Sequence, residues 1–327
     1  MRIPEAKWSL IYAGADITAE VAPEAVSIAY ADFDHGKSDE VELKLNDRAH
    51  LWKGSWRPAK GDAMALEIGW AGGALLPCGK FEVDEISWEG PPDVVSIRGL
   101  AAPISAELRT ERTRAFENKT LRQIAGQIAS EHGLTLEGEI EGGPMERVTQ
   151  YVERDLEFLR RLAGEYDHVF SVREKMLYFS KAGDLERQAP AASISRGEMG
   201  RFSFQDSSHR VYKACTLSYH DPETSRLIRV TAAAEGVTTG DVLEVKARVE
   251  SEAQAWIRAA AELKRANARA LTGRISLRGD PRLMAGVAIE IPDLGALSGR
   301  YFIEASRHRI ERRSGYVTEV ELRRVEA

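Results

Sequence analysis

The histidines and serines of the chain are the first residues whose types could support chemistry. His220 is followed directly by Asp221, His308 lies near the C-terminus, and Ser207 or Ser208 could act as a nucleophile. A serine hydrolase needs such a nucleophile, a general base and an orienting carboxylate. However, no nucleophile elbow surrounds either serine. The sequence therefore predicts that the chain is not an enzyme and has no catalytic residues.

A group of acidic residues near the N-terminus is the second candidate. It contains Asp32, Asp34, His35, Asp39 and Glu40. A calcium-binding loop places oxygen ligands at alternating positions and closes with a glutamate, and this spacing does not match that pattern. We therefore predict a solvated hairpin loop here. We expect no metal site and no cofactor in the chain.

Two smaller sets of reactive side chains are better explained by structural roles. Glu153 and Asp155 resemble paired carboxylates, but both fall where a helix is predicted to begin. Acidic side chains at that position are stabilised by free N–H groups and by the helix dipole. Cys78 and Cys215 are too few and too far apart in sequence for a metal site. We predict two buried free thiols.

The stretch 150–180 has the clearest local pattern. Its first part predicts a helix over 155–166, because apolar residues recur there at helical spacing. Two short apolar runs follow and predict a β-hairpin with its turn at 173–175. Phe158 lies off the apolar stripe, so we expect it to face another surface. The stripe itself comprises Leu156, Leu159, Leu162, Ala163 and Tyr166.

The rest of the chain is dominated by short segments typical of strands, separated by turns rich in Gly, Pro and Asp. A second helix is predicted over 121–133, and a long alanine-rich helix follows Ser251. We predict a mainly β fold with an α+β insertion: two similar β-barrel domains, 1–105 and 191–327, flank a small α+β module, 106–190. The predicted strands are 8–12, 25–30, 41–45, 63–70, 80–88, 94–100, 135–140, 201–205, 211–219, 227–232, 272–279, 286–291, 299–310 and 316–323.

An internal repeat supports the idea of two similar domains. GDAMALEI, GKFEVDEISW and VVSIRGL in the first half correspond in order to AGVAIEI, GRYFIEASRH and YVTEVEL in the second. We therefore predict that 61–100 and 286–323 form equivalent sheets. The matched pairs, all at one offset of 220 residues, are Gly79 with Gly299, Phe81 with Tyr301, and Ile97 with Val317.

The stretch 150–162 also resembles a known signature, Q-x-x-E-x-D-x-x-F-L-x-R-L, of the phage late control D family. The C-terminal segments GDPRLMAGVAIEI and SGRYFIEASRHRIERRSGYVTEVELRR resemble the same family, so the likeness covers most of the chain. Gly164 within the helix and Asp167 at its end depart from the family pattern, which affects only the local turn. The matching residues are Gln150, Glu153, Asp155, Phe158, Leu159, Arg161 and Leu162.

The family comprises baseplate hub proteins of contractile phage tails and resembles the hub part of type VI secretion spike proteins. The resemblance implies a trimeric ring that adapts a sixfold tail tube to a threefold central spike. It implies as partners further copies of the chain, the tail spike protein, the tail tube and other baseplate proteins, and the tape measure protein. It places the chain in a virion or a phage-like particle. The alternative is a cell-wall-acting tail protein, hydrolytic or carbohydrate-binding.

Composition limits the remaining possibilities. A net charge of −6 argues against specific nucleic-acid binding, which would need a basic surface. The N-terminus has no apolar signal segment and the chain has no long apolar run, so we expect assembly in the host cytoplasm without stable membrane insertion. Trp256 and the small residues of the alanine-rich helix could form an interface or simply a core. The acidic loops 32–40 and 137–146 could line a channel that repels DNA, or keep an outer surface soluble.

Overall fold

The computed structural model describes residues 4–35, 37–101, 110–173, 175–207, 211–220, 226–247, 249, 251–312 and 314–325. The sequence also predicts a turn at Asp221 and Pro222, between the predicted strands 211–219 and 227–232. These two residues and the candidate nucleophile Ser208 lie outside the described ranges. Strands account for 52% of the described residues and helices for 19%, which confirms the prediction of a mainly β fold.

The strands agree with most of the predicted segments and add several that were not predicted. Their bounds are β1 (Ala6–Tyr12), β2 (Ala15–Asp16), β3 (Ala25–Phe33), β4 (Glu40–Asn46), β5 (Ala63–Trp70), β6 (Leu76–Glu89), β7 (Val94–Ala101), β8 (Glu111–Lys119), β9 (Thr135–Glu137), β10 (Met145–Arg154), β11 (His168–Arg173), β12 (Met176–Lys181), β13 (Ala192–Ser193), β14 (Met199–Asp206), β15 (Tyr212–His220), β16 (Leu227–Ala233), β17 (Asp241–Lys246), β18 (Leu271–Arg278), β19 (Ala288–Ile291), β20 (Gly299–Glu311) and β21 (Gly315–Arg324).

The three longer helices begin or lie where the apolar spacing predicts them. Helix α2 starts after Thr120, whose hydroxyl accepts a hydrogen bond from Gln123 N while the Gln123 side chain accepts one from Thr120 N. The hydroxyl of Ser251 accepts a bond from Gln254 N at the start of α5. The bounds are α1 (Thr18–Val21), α2 (Leu121–Glu131), α3 (Asp155–Glu165), α4 (Ala182–Arg187) and α5 (Glu252–Asn267).

One large sheet contains most of the strands, thirteen of them among the described residues. It includes two runs of neighbours in equivalent order, β3–β4–β7–β6–β5–β1 and β14–β18–β21–β20–β19–β13. All of these pairs are antiparallel except that β13 joins β19 in parallel. The two runs meet where β20 pairs with β3. The predicted repeat is therefore present as a repeated strand order.

The two runs also share local backbone features. The ladder between β6 and β7 shifts register between Val83 and Glu85, and the ladder between β20 and β21 shifts between Ile303 and Ala305, 220 residues later. A bulge of this kind re-aims the following part of a strand. Gly79 and Gly299 both have positive φ, 106° and 139°, which a side chain would disfavour. Two of the three matched pairs of the repeat thus hold at the offset of 220.

The third matched pair is wrong by three residues. Val83 lies opposite Gly99, whereas Ile303 lies opposite Leu322. Ile97 therefore corresponds to Val320, and not to Val317 as the constant offset predicts. The physical reason is that the β20–β21 hairpin continues for two further residue pairs, which adds four residues, and then turns through one residue fewer than the β6–β7 hairpin.

Buried apolar residues form four clusters. One lies within the first run of strands and includes Tyr316 from β21, and another lies within the second run. A third lies among α2, α3 and the strands from β8 to β12. The fourth lies between α5 and the small sheet β16–β15–β17. The alanine-rich helix therefore packs on a separate three-stranded sheet. The division at residues 105 and 190 stays a prediction.

Strands β8 and β10 were not predicted from the sequence, and they pair only with each other in the described structure. Both are rich in charged residues, and most of their side chains face solvent. They therefore lack the apolar alternation that signals a half-buried strand. In the described part of the chain, no helix combines the length and the apolar character that crossing a bilayer requires.

Candidate functional site

The signature residues converge on one buried carboxylate, Asp155, in the first turn of α3. Its side chain is fully buried. Arg114 Nη2 and Gln150 Nε2 both donate to Asp155 Oδ1 at 2.8 Å, and His132 Nε2 lies 2.8 Å from Oδ2. Burial raises the pKa of a carboxyl group, but the hydrogen bonds from His132 and Gln150 and the charge of Arg114 outweigh it, so the pKa of Asp155 lies below its ordinary value. The Asp155 side chain thus links α3 to β8, β10 and the C-terminal end of α2. This role adds to the interaction with the helix dipole that the sequence predicts.

The same cluster contains atoms that could in principle hold a metal ion. One ligand atom each from Glu131, His132 and Asp155 lie within 4.8 Å of one another. However, Arg114 Nη1 and Arg112 Nη1 lie 2.6 and 3.2 Å from Glu131 Oε2. These two guanidinium groups neutralise both carboxylates and would repel a cation. The geometry therefore favours an internal ion-pair network over a metal site.

Glu153 and Arg161, two further signature residues, form a bidentate ion pair. Arg161 Nε and Nη2 each donate to a Glu153 oxygen at 2.8 Å, and Nη2 also donates to Thr149 O at 2.9 Å. Such a planar fork is the strongest arrangement available to an arginine and a carboxylate. Glu153 lies at the end of β10 and not at the helix start, which corrects the prediction. The pair fixes α3 against β10.

Phe158 does not face a separate surface, so the expectation for it is wrong. Its side chain is fully buried, and its ring stacks on Phe116 of β8 with 5.5 Å between the ring centroids. The cause is the unpredicted strand β8, which supplies the partner ring. Leu159 and Leu162 are also fully buried. The signature is thus a set of residues that fold and anchor α3.

Asp32 and Asp39 of the acidic group are not solvated, which corrects the second expectation at these two positions. Asp32 is fully buried and Asp39 is nearly so. Asp32 Oδ2 accepts a hydrogen bond from Ala285 N at 2.7 Å. Asp39 accepts from the hydroxyl of Tyr30 at 3.2 Å and from Phe33 N at 3.3 Å. These carboxylates satisfy buried donors at the junction of the two runs, so they are not free to line a channel.

A cavity of about 310 Å³ lies beside that junction, between the large sheet, α3 and α5. It contains Asp34 and His35. Burial and the negative charge of Glu304 raise the pKa of Asp34 to about 7, although Arg323 opposes them. Burial lowers the pKa of His35 to about 4. Arg323, also on the cavity wall, is paired with Glu186, and its Nη2 lies 2.7 Å from Glu186 Oε1.

The residues proposed for hydrolysis are not arranged for it where the structure describes them. His308 is fully buried; its Nε2 lies 3.0 Å from Ser306 Oγ and its Nδ1 lies 2.8 Å from the Tyr316 hydroxyl. Burial lowers the pKa of His308 to about 4, which keeps the ring neutral. His220 is exposed at the end of β15 in a different sheet, and Ser207 is buried. The sequence did not reveal the Ser306–His308 pair, because alternating polar residues on a strand usually face solvent.

The two cysteines are free and buried, as their sequence context predicts. Burial raises the pKa of both thiols, to about 11 for Cys215. A thiol held in this protonated form is a poor nucleophile. The two cysteines are therefore structural.

The alanine-rich helix α5 divides into two faces. Ala255, Ala259 and Leu263 are buried in the cluster shared with β15 and β16. Trp256 and Ile257 lie on the other side, each 47% exposed. The small residues therefore serve the core of this unit.

Comparison with known proteins gives the chain its family. Residues 99–314 match the model of the phage tail baseplate hub family, GPD. The probable baseplate hub proteins of Escherichia phages P2 and 186 are 30% and 28% identical to the chain over 210 and 213 residues. Each match covers 62% of this chain and 54% or 53% of the phage protein. The matched region thus spans about half the length of these curated relatives.

Solved structures share the fold at low sequence identity. The 43 kDa tail protein of prophage MuSo2 from Shewanella oneidensis has a TM-score of 0.75 at 16% identity, over 98% of each chain. The E. coli c3393 protein, described as a component of the type VI secretion system, has a TM-score of 0.57 at 14% identity, over 93% of this chain and 74% of its own. The fold is therefore that of phage tail and type VI secretion proteins. With most of its length matched by the family model, the chain belongs to the phage tail baseplate hub family.

Proposed function

We propose that the chain is the structural hub of a contractile phage tail or a phage-like injection particle, and that three copies form a ring. Each copy contains two runs of strands in equivalent order, so three copies present six similar units. Six units match a sixfold tail tube on one side, while the threefold symmetry of the ring matches a central spike on the other. The repeated strand order, with its bulge at the same place in both runs, is the observation that carries the proposal.

The proposed partners are further copies of the chain, the tail spike protein, the tail tube and other baseplate proteins, and the tape measure protein. The chain joins them in the host cytoplasm and is carried in the baseplate. Its net charge of −6 supports a role without specific nucleic-acid binding. In the proposed division of the chain, domains 1–105 and 191–327 build the ring and module 106–190 lies between them.

We also propose that the hub performs no catalysis. The neutral, enclosed ring of His308 supports this, since both of its nitrogen atoms already have partners inside the core. A general base must reach its substrate directly or through one water molecule. A cell-wall-acting protein was the alternative, and no arrangement of the described residues favours it.

The native mass of the purified chain, measured with and without the spike protein of the same particle, tests the ring. We expect a three-copy species with the spike, even where the chain alone is monomeric, because ring contacts can be individually weak. A stable dimer under both conditions would contradict the proposal. Incubation with purified cell walls tests the alternative, and release of soluble fragments would establish an activity.

A further inference from the structure

The junction between the two runs shows how one unit of this fold joins the next. Strand β3, at the end of the first run, pairs antiparallel with residues 305–311 of β20. Tyr30 lies opposite His308, and their rings stack with 6.1 Å between centroids. Ile28 and Tyr30 are each 1% exposed and belong to the buried apolar cluster of the first run, against which Ile310 of β20 also packs. The bulged strand of one unit thus pairs with the end strand of the other and completes part of its core.

Strand β14 is the equivalent of β3 in the second run, but its second edge has no strand partner in the described part of the chain. The paired registers place Phe202 at the position of Ile28 and Phe204 at that of Tyr30. Among the described residues, β14 pairs with β18 alone. Phe202 is consequently 41% exposed, against 1% for Ile28. An open strand edge that carries aromatic side chains is a ready template for another strand.

In the first run, the end of β6 corresponds to the segment of β20 that pairs with β3. The shared bulge places Ile86 at the position of Ser306 and Trp88 at that of His308. In the described structure, residues 84–89 have strand partners only in β7. Trp88 is half-buried, and its indole Nε1 donates to Trp52 O at 3.3 Å. Within the described residues, each chain therefore carries one open edge of each kind.

We propose that β14 of one copy pairs antiparallel with the end of β6 in the next copy, and that this contact repeats the β3–β20 junction between molecules. It deepens the proposed function, since it identifies the contact that closes the proposed ring. Transferring the β3–β20 register gives the pairs Trp88 with Phe204, Ser87 with Gln205, and Glu89 with Ser203. The contact is head-to-tail, because the two edges differ.

Side-chain chemistry is compatible with this register. Phe204 and Trp88 would meet as a cross-strand aromatic pair, as Tyr30 and His308 do within the chain. Asp206 takes the position of Asp32, whose carboxylate accepts a backbone hydrogen bond in the junction. Glu89 would lie near Arg201 on the outer face, where their opposite charges attract. Both apolar faces left open in the single chain are covered in the pair.

Two single-cysteine variants of the full chain, Ser87→Cys and Gln205→Cys, test the pairing in assembled particles. The two residues correspond to Arg307 and Ala31, which lie opposite each other between hydrogen-bonded neighbours in the β3–β20 ladder. Opposed residues of that kind have Cα atoms about 4.5 Å apart, within the range of a disulfide. We expect particles that contain both variants to yield cross-linked dimers under mild oxidation. Either variant alone should yield none, since Cys78 and Cys215 are buried.

A register control replaces Ser87→Cys by Glu82→Cys, which lies about 17 Å away along the same strand and should not cross-link. A chain that carries both Ser87→Cys and Gln205→Cys should give a ladder that ends at three copies. Phe202→Ser should weaken the association about tenfold or more, while the single chain keeps its fold. Circular dichroism establishes that each variant folds.

The outcomes separate this inference from the proposed function. A three-copy ring that gives no Ser87–Gln205 cross-link would overturn the pairing and leave the ring intact. A ladder that ends at another number of copies would support the pairing and contradict the ring of three. Cross-linking by one variant alone would mean a two-fold contact and would overturn the head-to-tail arrangement. Absence of both the ring and the cross-link in particles would overturn both.

Discussion

Val83 and Ile303 make the same two backbone hydrogen bonds in the two halves of the chain. Each carbonyl accepts a bond from a glycine, at 2.8 and 2.9 Å, and each N–H donates to the residue after that glycine, at 2.9 Å in both cases. Each residue also immediately precedes the bulge of its strand. The likeness of the halves is thus a property of backbone bonding and does not need similar side chains. The partners are Gly61 and Asp62 for Val83, and Gly286 and Val287 for Ile303.

The backbone conformation of β6 ahead of Val83 should require a glycine at Gly79. Gly79 has φ of +106°, and a Cβ atom there would meet no other atom within 4 Å. Gly79→Ala should therefore destabilise the fold through backbone strain alone, by about 1–2 kcal/mol. Urea unfolding measures the change. Gly73→Ala, at a turn glycine outside the left-handed region, is the control and should change the free energy of unfolding little.

Removal of the central carboxylate of the signature cluster should be far more costly than removal of an exposed one. Asp155→Asn leaves Arg114 and Arg112 beside Glu131 with one carboxylate instead of two. Removing one partner of a buried ion pair lowers the free energy of unfolding by on the order of 3 kcal/mol. The exposed Glu157, two residues along α3, provides the control as Glu157→Gln. Equal denaturation midpoints for the two variants would show that the cluster contributes nothing.

The stacked pair of phenylalanines should contribute through packing. Phe158→Ala removes a fully buried ring from its contact with Phe116, and such truncations cost about 3–5 kcal/mol. Tyr151→Ala, at a side chain that is 72% exposed, should change the free energy of unfolding by less than about 0.5 kcal/mol. Both are measured by chemical denaturation. Similar values for the two variants would contradict the assignment of Phe158 to the core.

The strands of the large sheet were predictable because apolar and polar residues alternate locally. Strand β5, for example, runs over the residues predicted, 63–70. The repeat was also visible, since Phe81 and Tyr301 follow glycines at one offset. The registers that join distant segments leave no such local signal. The pairing of β3 with β20 and the error of three residues at Ile97 both belong to this class.

The candidate site was less predictable, because its polar residues were judged by sequence neighbours. Asp32 lies among acidic residues and suggested a solvated loop, yet its partner Ala285 is 253 residues away. Phe158 was predicted to face another surface. Its partner Phe116 lies on β8, and the charged sequence of that strand does not predict a strand. In both cases a long-range contact decided the burial. The local sequence pattern can predict a helix or strand. It does not predict which residues from distant parts of the chain pack against that helix or strand.

The carboxyl group of Asp34 provides a pH-dependent prediction. An unfolded aspartate loses its proton near pH 4, whereas burial and Glu304 hold the pKa of Asp34 near 7 in the folded chain. Between these values the folded state binds more protons than the unfolded state, so the contribution of Asp34 to stability falls as pH rises from about 4 to about 7 and is constant above. Asp34→Asn has no carboxyl group at this position, so its stability lacks this pH-dependent decrease.

The free energy of unfolding of Asp34→Asn relative to the unmodified chain should therefore increase across that range. The slope should be less than about 1.4 kcal/mol per pH unit, because the cavity around Asp34 is partly open to solvent. The pKa of His35 is lowered to about 4, so its contribution to stability rises with pH between pH 4 and 6.5. Because His35 is present in both proteins, this contribution largely cancels in the difference between their free energies of unfolding. Gln205→Ala, which removes no titratable group, is the control. A difference between Asp34→Asn and the unmodified chain that stays constant from pH 4 to pH 8 would contradict a buried, protonated Asp34.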